Sequence, residues 1–228
     1  MGWFSRKNEV VDEKAALNSG LRMYIQKVDV VGVKTSLATG ADPNGNEEDE
    51  ISPMVLAATS FVSTLPTHRR NQQEIIQALL AAGGNPSWGG KNGQAPYEIA
   101  LRKSWVELVR IMIDQGASPH SIEGSLSTPI QVVLTPPDYK GHPLLPILEA
   151  LLGLGADIND AGRLKKPPLV LALIQSSVLS KAPDYEEVLR LFIQQGADLD
   201  AEGPQNETAR SLLEKSQWSH LLHENGHG

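Results

Sequence analysis

The chain has 228 residues, a formal net charge of −7 at pH 7 and a hydrophobic fraction of 40%, which permits one or two globular domains. The acidic balance argues against a groove that binds nucleic acid, and the lack of cysteine excludes disulfides, thiolate metal sites and a cysteine nucleophile. No apolar run reaches the ~18 residues of a membrane span and the start lacks the apolar core of a signal peptide, so we expect a cytoplasmic protein with no membrane partner.

In chain order, the first repeated feature is a short tag built on glycine, which recurs five times. Apolar residues at helical spacing precede the tags, as in Ile75 to Leu80 before Gly83. Glycine after such a stretch is typical of the C′ position, where it adopts a left-handed conformation without a Cβ penalty. The tags therefore predict five helix ends, at Gly40, Gly83, Gly116, Gly155 and Gly196.

A second landmark follows twelve residues after each tag glycine. Its five members are Ser52, Ala95, Thr128, Pro167 and Thr208. Serine and threonine are favoured N-caps, and the proline that follows the first four landmarks suits the first helical turn. The landmarks therefore predict helix starts, so that each unit is a helix, a turn, a second helix, a glycine stop and a connector of constant length.

These units resemble the ankyrin repeat family. The family pattern of Thr-Pro-Leu-His, two small residues, a Glu-Val-Val helix and a Gly-Ala-Asp end is matched by Ser52-Pro53-Met54-Val55-Leu56-Ala57-Ala58, by Glu74-Ile75-Ile76-Gln77-Ala78-Leu79-Leu80 and by the tag at Gly83. The resemblance implies an all-α ankyrin-repeat solenoid of about five to six helix-turn-helix units joined by short β-hairpin-like connectors, called fingers. It also implies a stand-alone protein of bacterial type with extended inter-helix loops.

The repeat spacing gives the domain boundaries. We expect residues 1–18 to form an N-terminal capping segment and residues 19–228 to form the ankyrin-repeat domain. The units are expected near 19–51, 52–94, 95–127, 128–166 and 167–207, with a C-terminal cap at 208–228. Terminal units with atypical, more polar outer faces keep a solenoid soluble.

Three units depart from the family in length. From first-helix start to tag glycine, the family spacing of 21 grows to 31, 27 and 29 in the units that begin at Ser52, Thr128 and Pro167. The added residues fall between the two helices of a unit and have turn and loop compositions. They include Thr64 to Arg70, Pro136 to Pro143 and Ser180 to Asp184.

The histidine of the family motif is missing throughout. Its place holds Arg22, Val55, Glu98, Gln131 and Val170. The hydrogen bonds that this histidine makes between neighbouring turns are therefore not expected in their usual form, and the resemblance implies a less regular stack.

The resemblance also implies where a partner docks, on a concave surface lined by the fingers and the solvent side of the first helices. Acidic and basic zones alternate there, which favours an oriented protein partner. The predicted partner-binding residues are Glu47, Glu48, Asp49, Glu50, Trp88, Lys91, Asn92, Arg102, Lys103, Arg163, Lys165 and Lys166. The inserted inter-helix segments are a second candidate surface, with Leu65, His68, Arg69, Arg70, Tyr139 and His142.

Three histidines near the C-terminus, His220, His223 and His227, have a spacing that would place them on one helical face, as a zinc site requires. Asn225-Gly226 is expected to end that helix first, so we predict no metal site and no cofactor. No serine-histidine-aspartate pattern is present, and we expect no catalytic residues.

The sequence thus predicts a non-catalytic protein-protein interaction module that is a monomer when unbound. A sharper version of this hypothesis is an immunity or antitoxin protein, whose partner is a toxin or effector that it neutralises. The alternatives are a metal-dependent sensor or enzyme that uses the C-terminal histidines, and an assembly scaffold.

Overall fold

The computed structural model describes residues 2–59, 66–91, 93–135 and 141–224, and the side chains in these ranges except those of 2–12 and 66. Contacts divide the chain into two compact units. Unit 1 comprises Met1–Ile99 and Asp114–Ala117, and unit 2 comprises Ala100–Ile113 and Ser118–Gly228.

The secondary structure of the described ranges is helical. The helices are α1 (Gly2–Gln26), α2 (Val30–Ala38), α3 (Pro53–Thr59), α4 (Pro66–Ala81), α5 (Pro96–Arg102), α6 (Val106–Asp114), α7 (Pro129–Leu134), α8 (Leu145–Gly153), α9 (Pro168–Ile174), α10 (Ser176–Leu179), α11 (Tyr185–Gln194), α12 (Ala209–Glu214) and α13 (Leu221–Glu224). The described residues contain no strand, and a single antiparallel bridge joins Glu202 to Thr208. The all-α class is confirmed.

All five predicted helix starts are confirmed, and three of them carry a side-chain cap. The Ser52 hydroxyl accepts a hydrogen bond from the Val55 amide, and α3 begins at the next residue. Thr128 and Thr208 each form a reciprocal capping box, with Gln131 and with Ser211. These bonds satisfy backbone donors that the first helical turn leaves without a partner.

The tag glycines end their helices in the left-handed conformation. Their φ angles are 103° at Gly40, 91° at Gly83, 100° at Gly116, 96° at Gly155 and 81° at Gly196. In four tags, the next residue donates its amide to a carbonyl five positions back, which is the Schellman bond at a helix C-terminus. The prediction of five helix ends is confirmed.

The third tag residue explains the preference for aspartate, asparagine or serine at that position. In every tag its side-chain oxygen accepts the backbone amide two residues further on, as Asp42 does from Asn44. Short polar side chains close such turns, so this position needs an acceptor of that length. The tag is therefore a helix stop followed at once by a side-chain-stabilised turn.

Unit 1 is built from two helix pairs. Helix α1 packs on α2 and α3, α2 packs on α4, and α3 packs on α4. The buried side chains come from the apolar stripe of each helix, including Leu21, Ile25, Met54, Ile76 and Leu79. Each pair thus covers the apolar face of the next, as expected for stacked repeats.

Unit 2 repeats this arrangement towards the C-terminus. First helices α7, α9 and α12 pack in sequence, and the second helices α8 and α11 lie beside them, followed by α13. Val132, Leu148, Val170, Phe192 and Leu213 are among its fully buried residues. Helices α12 and α13 form the final pair expected from Thr208 onwards.

One inserted segment differs from the loops expected. Pro66 to Arg70 lies in the first turns of α4, because proline at the first helical position costs no hydrogen bond. Ser180 to Asp184 forms turns, as expected, and directly follows the short helix α10. Residues 60–65 and 136–140, which include Leu65 and Tyr139, lie outside the described residues.

The first helix is longer than a repeat helix. Helix α1 runs in one piece from Gly2 to Gln26, so the segment 1–18 and the first repeat helix share a single axis. The outline of the capping segment and the repeat boundaries stay predictions.

Candidate protein-interaction surfaces

Fingers one (41–51) and two (84–94), both in unit 1, lie side by side. The Ser52 amide donates to the Gly89 carbonyl at 2.8 Å, and the Lys91 amide donates to the Asp49 carbonyl at 3.0 Å. A side-chain bridge joins the preceding tags, where the Asn44 amide group contacts the Gly83 carbonyl and the Asn85 backbone amide. Finger one is therefore fixed to its neighbour at both ends.

The acidic side chains of finger one have two different roles. Asp49 is partly buried, and its carboxylate accepts bonds from the Asn46 amide at 2.9 Å and the Arg22 guanidinium at 3.3 Å. The same guanidinium donates to the Ile51 carbonyl at 3.0 Å. The Asp49 carboxylate therefore holds the finger against α1. This geometry does not support the expected role of Asp49 as a partner contact.

The other three acids of finger one face solvent. Glu47, Glu48 and Glu50 are exposed, and Glu48 forms an ion pair with Lys91 of finger two. An ion pair at such exposure stabilises the fold little, because water screens it. These carboxylates are available to a partner.

Trp88 lies half-buried in finger two, and Asn92 lies outside the described residues. The Trp88 amide donates to the Asn85 carbonyl, so the tryptophan follows directly on the turn of the tag. A half-buried tryptophan can either contact a partner or pack over the finger.

Finger four (156–166), in unit 2, is held by Gln131 of α7. This side chain is 1% exposed, and its amide nitrogen donates to the carbonyls of Ala161 and Lys166, both at 2.8 Å. Gln131 occupies the position of the family's histidine and fixes finger four to α7. Arg22 does the same for finger one, so the missing histidine is replaced at two places.

The basic side chains of finger four point away from these contacts. Arg163 and Lys165 are exposed, Lys166 is half-buried, and none of them forms a salt bridge with a described residue. Leu164, between Arg163 and Lys165, is 40% exposed, and Leu126 of finger three (117–127) is 56% exposed. The sequence reasoning missed both leucines, because a single apolar residue in a finger carries no periodic signal.

The two predicted basic residues at the end of α5 make contacts within unit 2, Arg102 as its last residue and Lys103 directly after it. The Arg102 guanidinium donates to the Thr135 carbonyl at 3.1 Å, at the end of α7. Lys103 is exposed, and its ammonium lies 4.7 Å from the centre of the Trp105 ring. Arg102 thus has a structural role, while Lys103 combines a cation–π contact with exposure.

Of the three C-terminal histidines, the structure describes His220 and His223. His220 Nε2 lies 3.3 Å from a Glu186 carboxylate oxygen, next to the ion pairs of Arg190 with Glu186 and Glu224. His227 lies outside the described residues. Within the described ranges, no group of three His, Asp or Glu side chains is placed to hold a metal ion.

The Arg190 guanidinium sets the electrostatics of this cluster. Its bonds lower the pKa of the Glu224 carboxyl below 4.5, and they raise the pKa of the arginine. The cluster joins α11 to α13, so it is an attachment of the last helix.

Of the described helices, none has the length and hydropathy needed to cross a lipid bilayer.

Comparison with known proteins identifies the repeat type. The chain is 29% identical over 150 residues to ankyrin repeat, SAM and basic leucine zipper domain-containing protein 1 of Loxodonta africana, which covers 60% of the chain and 31% of that protein. It is 30% identical over 98 residues to NF-kappa-B inhibitor alpha of Homo sapiens, covering 39% and 28%. The chain thus spans less than a third of the length of these relatives. No protein-family model matches it.

The fold agrees with these relatives. The human ASB11 ankyrin repeat domain aligns with a TM-score of 0.65 and 23% identity, over 89% of the chain and 80% of that domain. Ankyrin repeats generally mediate contacts between proteins, and relatives of this type are typically not catalytic. With its five glycine tags and capped helix pairs, the chain has the fold of an ankyrin repeat domain.

Proposed function

We propose that this protein is a non-catalytic module that binds a partner protein through its fingers and the adjoining first helices. The observation that carries the proposal is the set of charged finger residues with no structural task. In unit 1 these are Glu47 and Glu50, and in unit 2 they are Arg163 and Lys165. Exposed charges next to fixed backbone supply orientation and association rate to a complex.

The apolar residues beside the charges support the same surfaces. Leu126 and Leu164 are large hydrophobic side chains exposed on fingers three and four, and Trp88 is half-buried on finger two. Apolar or aromatic anchors surrounded by polar residues are the usual centre of a protein interface. Each unit therefore offers a surface with charges of its own, acidic in finger one and basic in finger four.

The sharper form of the proposal is that the partner is a toxin or effector, which this cytoplasmic protein neutralises by covering its active site. The human relative is named as an inhibitor of NF-kappa-B, so an ankyrin repeat protein that inhibits another protein has a precedent. Co-expression with the product of each neighbouring gene tests this form, with growth as the readout. Rescue by the wild type that the finger variants below lose is the expected result.

The general proposal is tested by affinity capture and quantitative mass spectrometry with two finger variants. The first carries Glu47→Lys and Glu50→Lys, and the second carries Arg163→Glu and Lys165→Glu. A partner held by the fingers is expected to be depleted at least tenfold by the variant that reverses its contact charges.

The matched control reverses as many charges on second helices, with Glu107→Lys and Glu149→Lys for the first variant. Arg69→Glu with Arg110→Glu is the control for the second. All four positions are exposed. Equal capture by the wild type and both finger variants, or loss in the controls instead, would refute the proposed surfaces.

A further inference from the structure

The exposed face of α1 has a composition that fits a second copy of the same helix. A groove of about 360 Å³ lies between α1 and α2, lined on α1 by Glu13, Ala16, Leu17, Gly20 and Tyr24. On α2 its wall is formed by Thr35, Ser36 and Thr39. A Cβ placed on Gly20 would meet nothing within 4 Å, so the middle of this face is open.

Two further residues extend this face, Met23 within α1 and Lys27 directly after its end, where the Lys27 amide donates to the Met23 carbonyl and continues the helical spacing. Met23 is 40% exposed and Lys27 is exposed. At 100° per residue, Glu13, Met23 and Lys27 lie within about 60° of Gly20 around the helix axis. We call this set of seven the α1 face: Glu13, Ala16, Leu17, Gly20, Met23, Tyr24 and Lys27.

The α1 face is complementary to itself when two copies run antiparallel with Gly20 opposite Gly20. Every residue then faces the one equally far from Gly20 on the other side, so that Leu17 meets Met23 of the second copy and Ala16 meets Tyr24. A glycine occupies the centre, where two backbones must approach, and its missing side chain permits this. Apolar pairs flank it on both sides.

The charges complete the match. In the antiparallel register, Glu13 faces Lys27 of the second copy, and the symmetry repeats this pair at the other end. Neither side chain forms an ion pair with a described residue within its own chain. A parallel arrangement would instead place Glu13 against Glu13 and Lys27 against Lys27, so the charges select the antiparallel one.

We propose that the α1 face is a homodimer interface, in which α1 helices of two copies pair antiparallel about Gly20. Such an interface is isologous, because the same patch is used twice around a two-fold axis. The proposal is independent of the finger surfaces, and it replaces the monomer expected from the sequence with a reversible dimer.

Charge reversal followed by charge exchange tests the proposal, with sedimentation velocity over a wide range of protein concentrations. The wild type is expected to dimerise reversibly. Glu13→Lys and Lys27→Glu are each expected to raise the dimer dissociation constant about tenfold, since each replaces two attractive pairs by two repulsive ones. The double variant with both changes is expected to return to the wild-type constant.

The matched control is Gln26→Glu, an exposed position about 120° from Gly20 on the same helix, which is expected to leave the constant unchanged. Circular dichroism confirms that each variant is folded. A wild type that stays monomeric at all concentrations overturns the proposal. A dimer that the single reversals do not weaken, or that the double variant does not restore, also overturns it.

Discussion

Replacement of Gln131 by methionine tests whether this residue holds finger four to α7. The variant keeps the length of the side chain but removes both donors and the acceptor. The Lys166 carbonyl loses its donor, and the Thr128 amide loses the Gln131 oxygen that accepts it at 3.0 Å. The Ala161 carbonyl keeps a second donor, the Lys166 amide at 2.9 Å.

Two polar groups are thus left without a partner at a site where Gln131 is 1% exposed. Each such group costs about 1–3 kcal/mol, and the greater apolarity of methionine offsets part of the loss. We therefore expect the free energy of unfolding to fall by about 2 kcal/mol. Urea titration followed by circular dichroism measures this value. Gln77→Met, at an exposed position of α4, is the control and is expected to change stability by under ~0.5 kcal/mol.

A second substitution at the same position separates hydrogen bonding from packing. Gln131→Glu places a carboxylate against the two carbonyls, which raises its pKa in the folded state. The destabilisation due to the charge is present above the raised pKa and disappears as the pH falls below the pKa of the unfolded chain. The protonated side chain has one donor, so the loss of one of the two bonds remains. A loss for Gln131→Met no larger than that of the control, or a Gln131→Glu variant whose stability relative to the wild type does not rise in acid, would refute this role.

Three further predictions concern single contacts. Asn44→Ala removes the bridge between the first two tags, and we expect a loss of about 1 kcal/mol with faster amide exchange at the second tag. Gly20→Ala, in the open middle of α1, should stabilise the protein by about 0.5–1 kcal/mol. Gly32→Ala should destabilise it, because the added Cβ would overlap the Tyr24 ring. Thermal unfolding of the two variants distinguishes these effects. Arg190 lowers the pKa of the Glu224 carboxyl, so the stability that this pair supplies is present above pH 4.5 and is lost as the pH falls through the lowered pKa. Amide exchange in α13 should therefore become faster on acidification, and Glu224→Gln should remove that pH dependence.

Helix boundaries were predictable from the sequence because local chemistry sets them. Glycine at a C′ position and a hydroxyl at an N-cap act over a few residues, and Gly83, Ser52 and Thr128 illustrate both rules. Pro66 misled the same reasoning, since proline is as common at a helix start as in a turn.

The roles of single charged residues were not predictable in the same way. Asp49 and Arg102 are charged residues expected at solvent, but each is bonded to groups about 30 positions away in sequence. Only the packing of neighbouring repeats shows such a partner. Gln131 is the converse case, because its departure from the family motif suggested a lost bond whereas the fold uses it for two.

Hydrogen exchange on the complex with a captured partner tests the central claim most directly, because it reports which backbone amides the partner covers. We expect protection in the fingers, above all at residues 45–51 and 159–166, with no change in the second helices α4, α6, α8 and α11 outside their last turns. Protection confined to those second helices, with the fingers exchanging as in the free protein, would contradict the account.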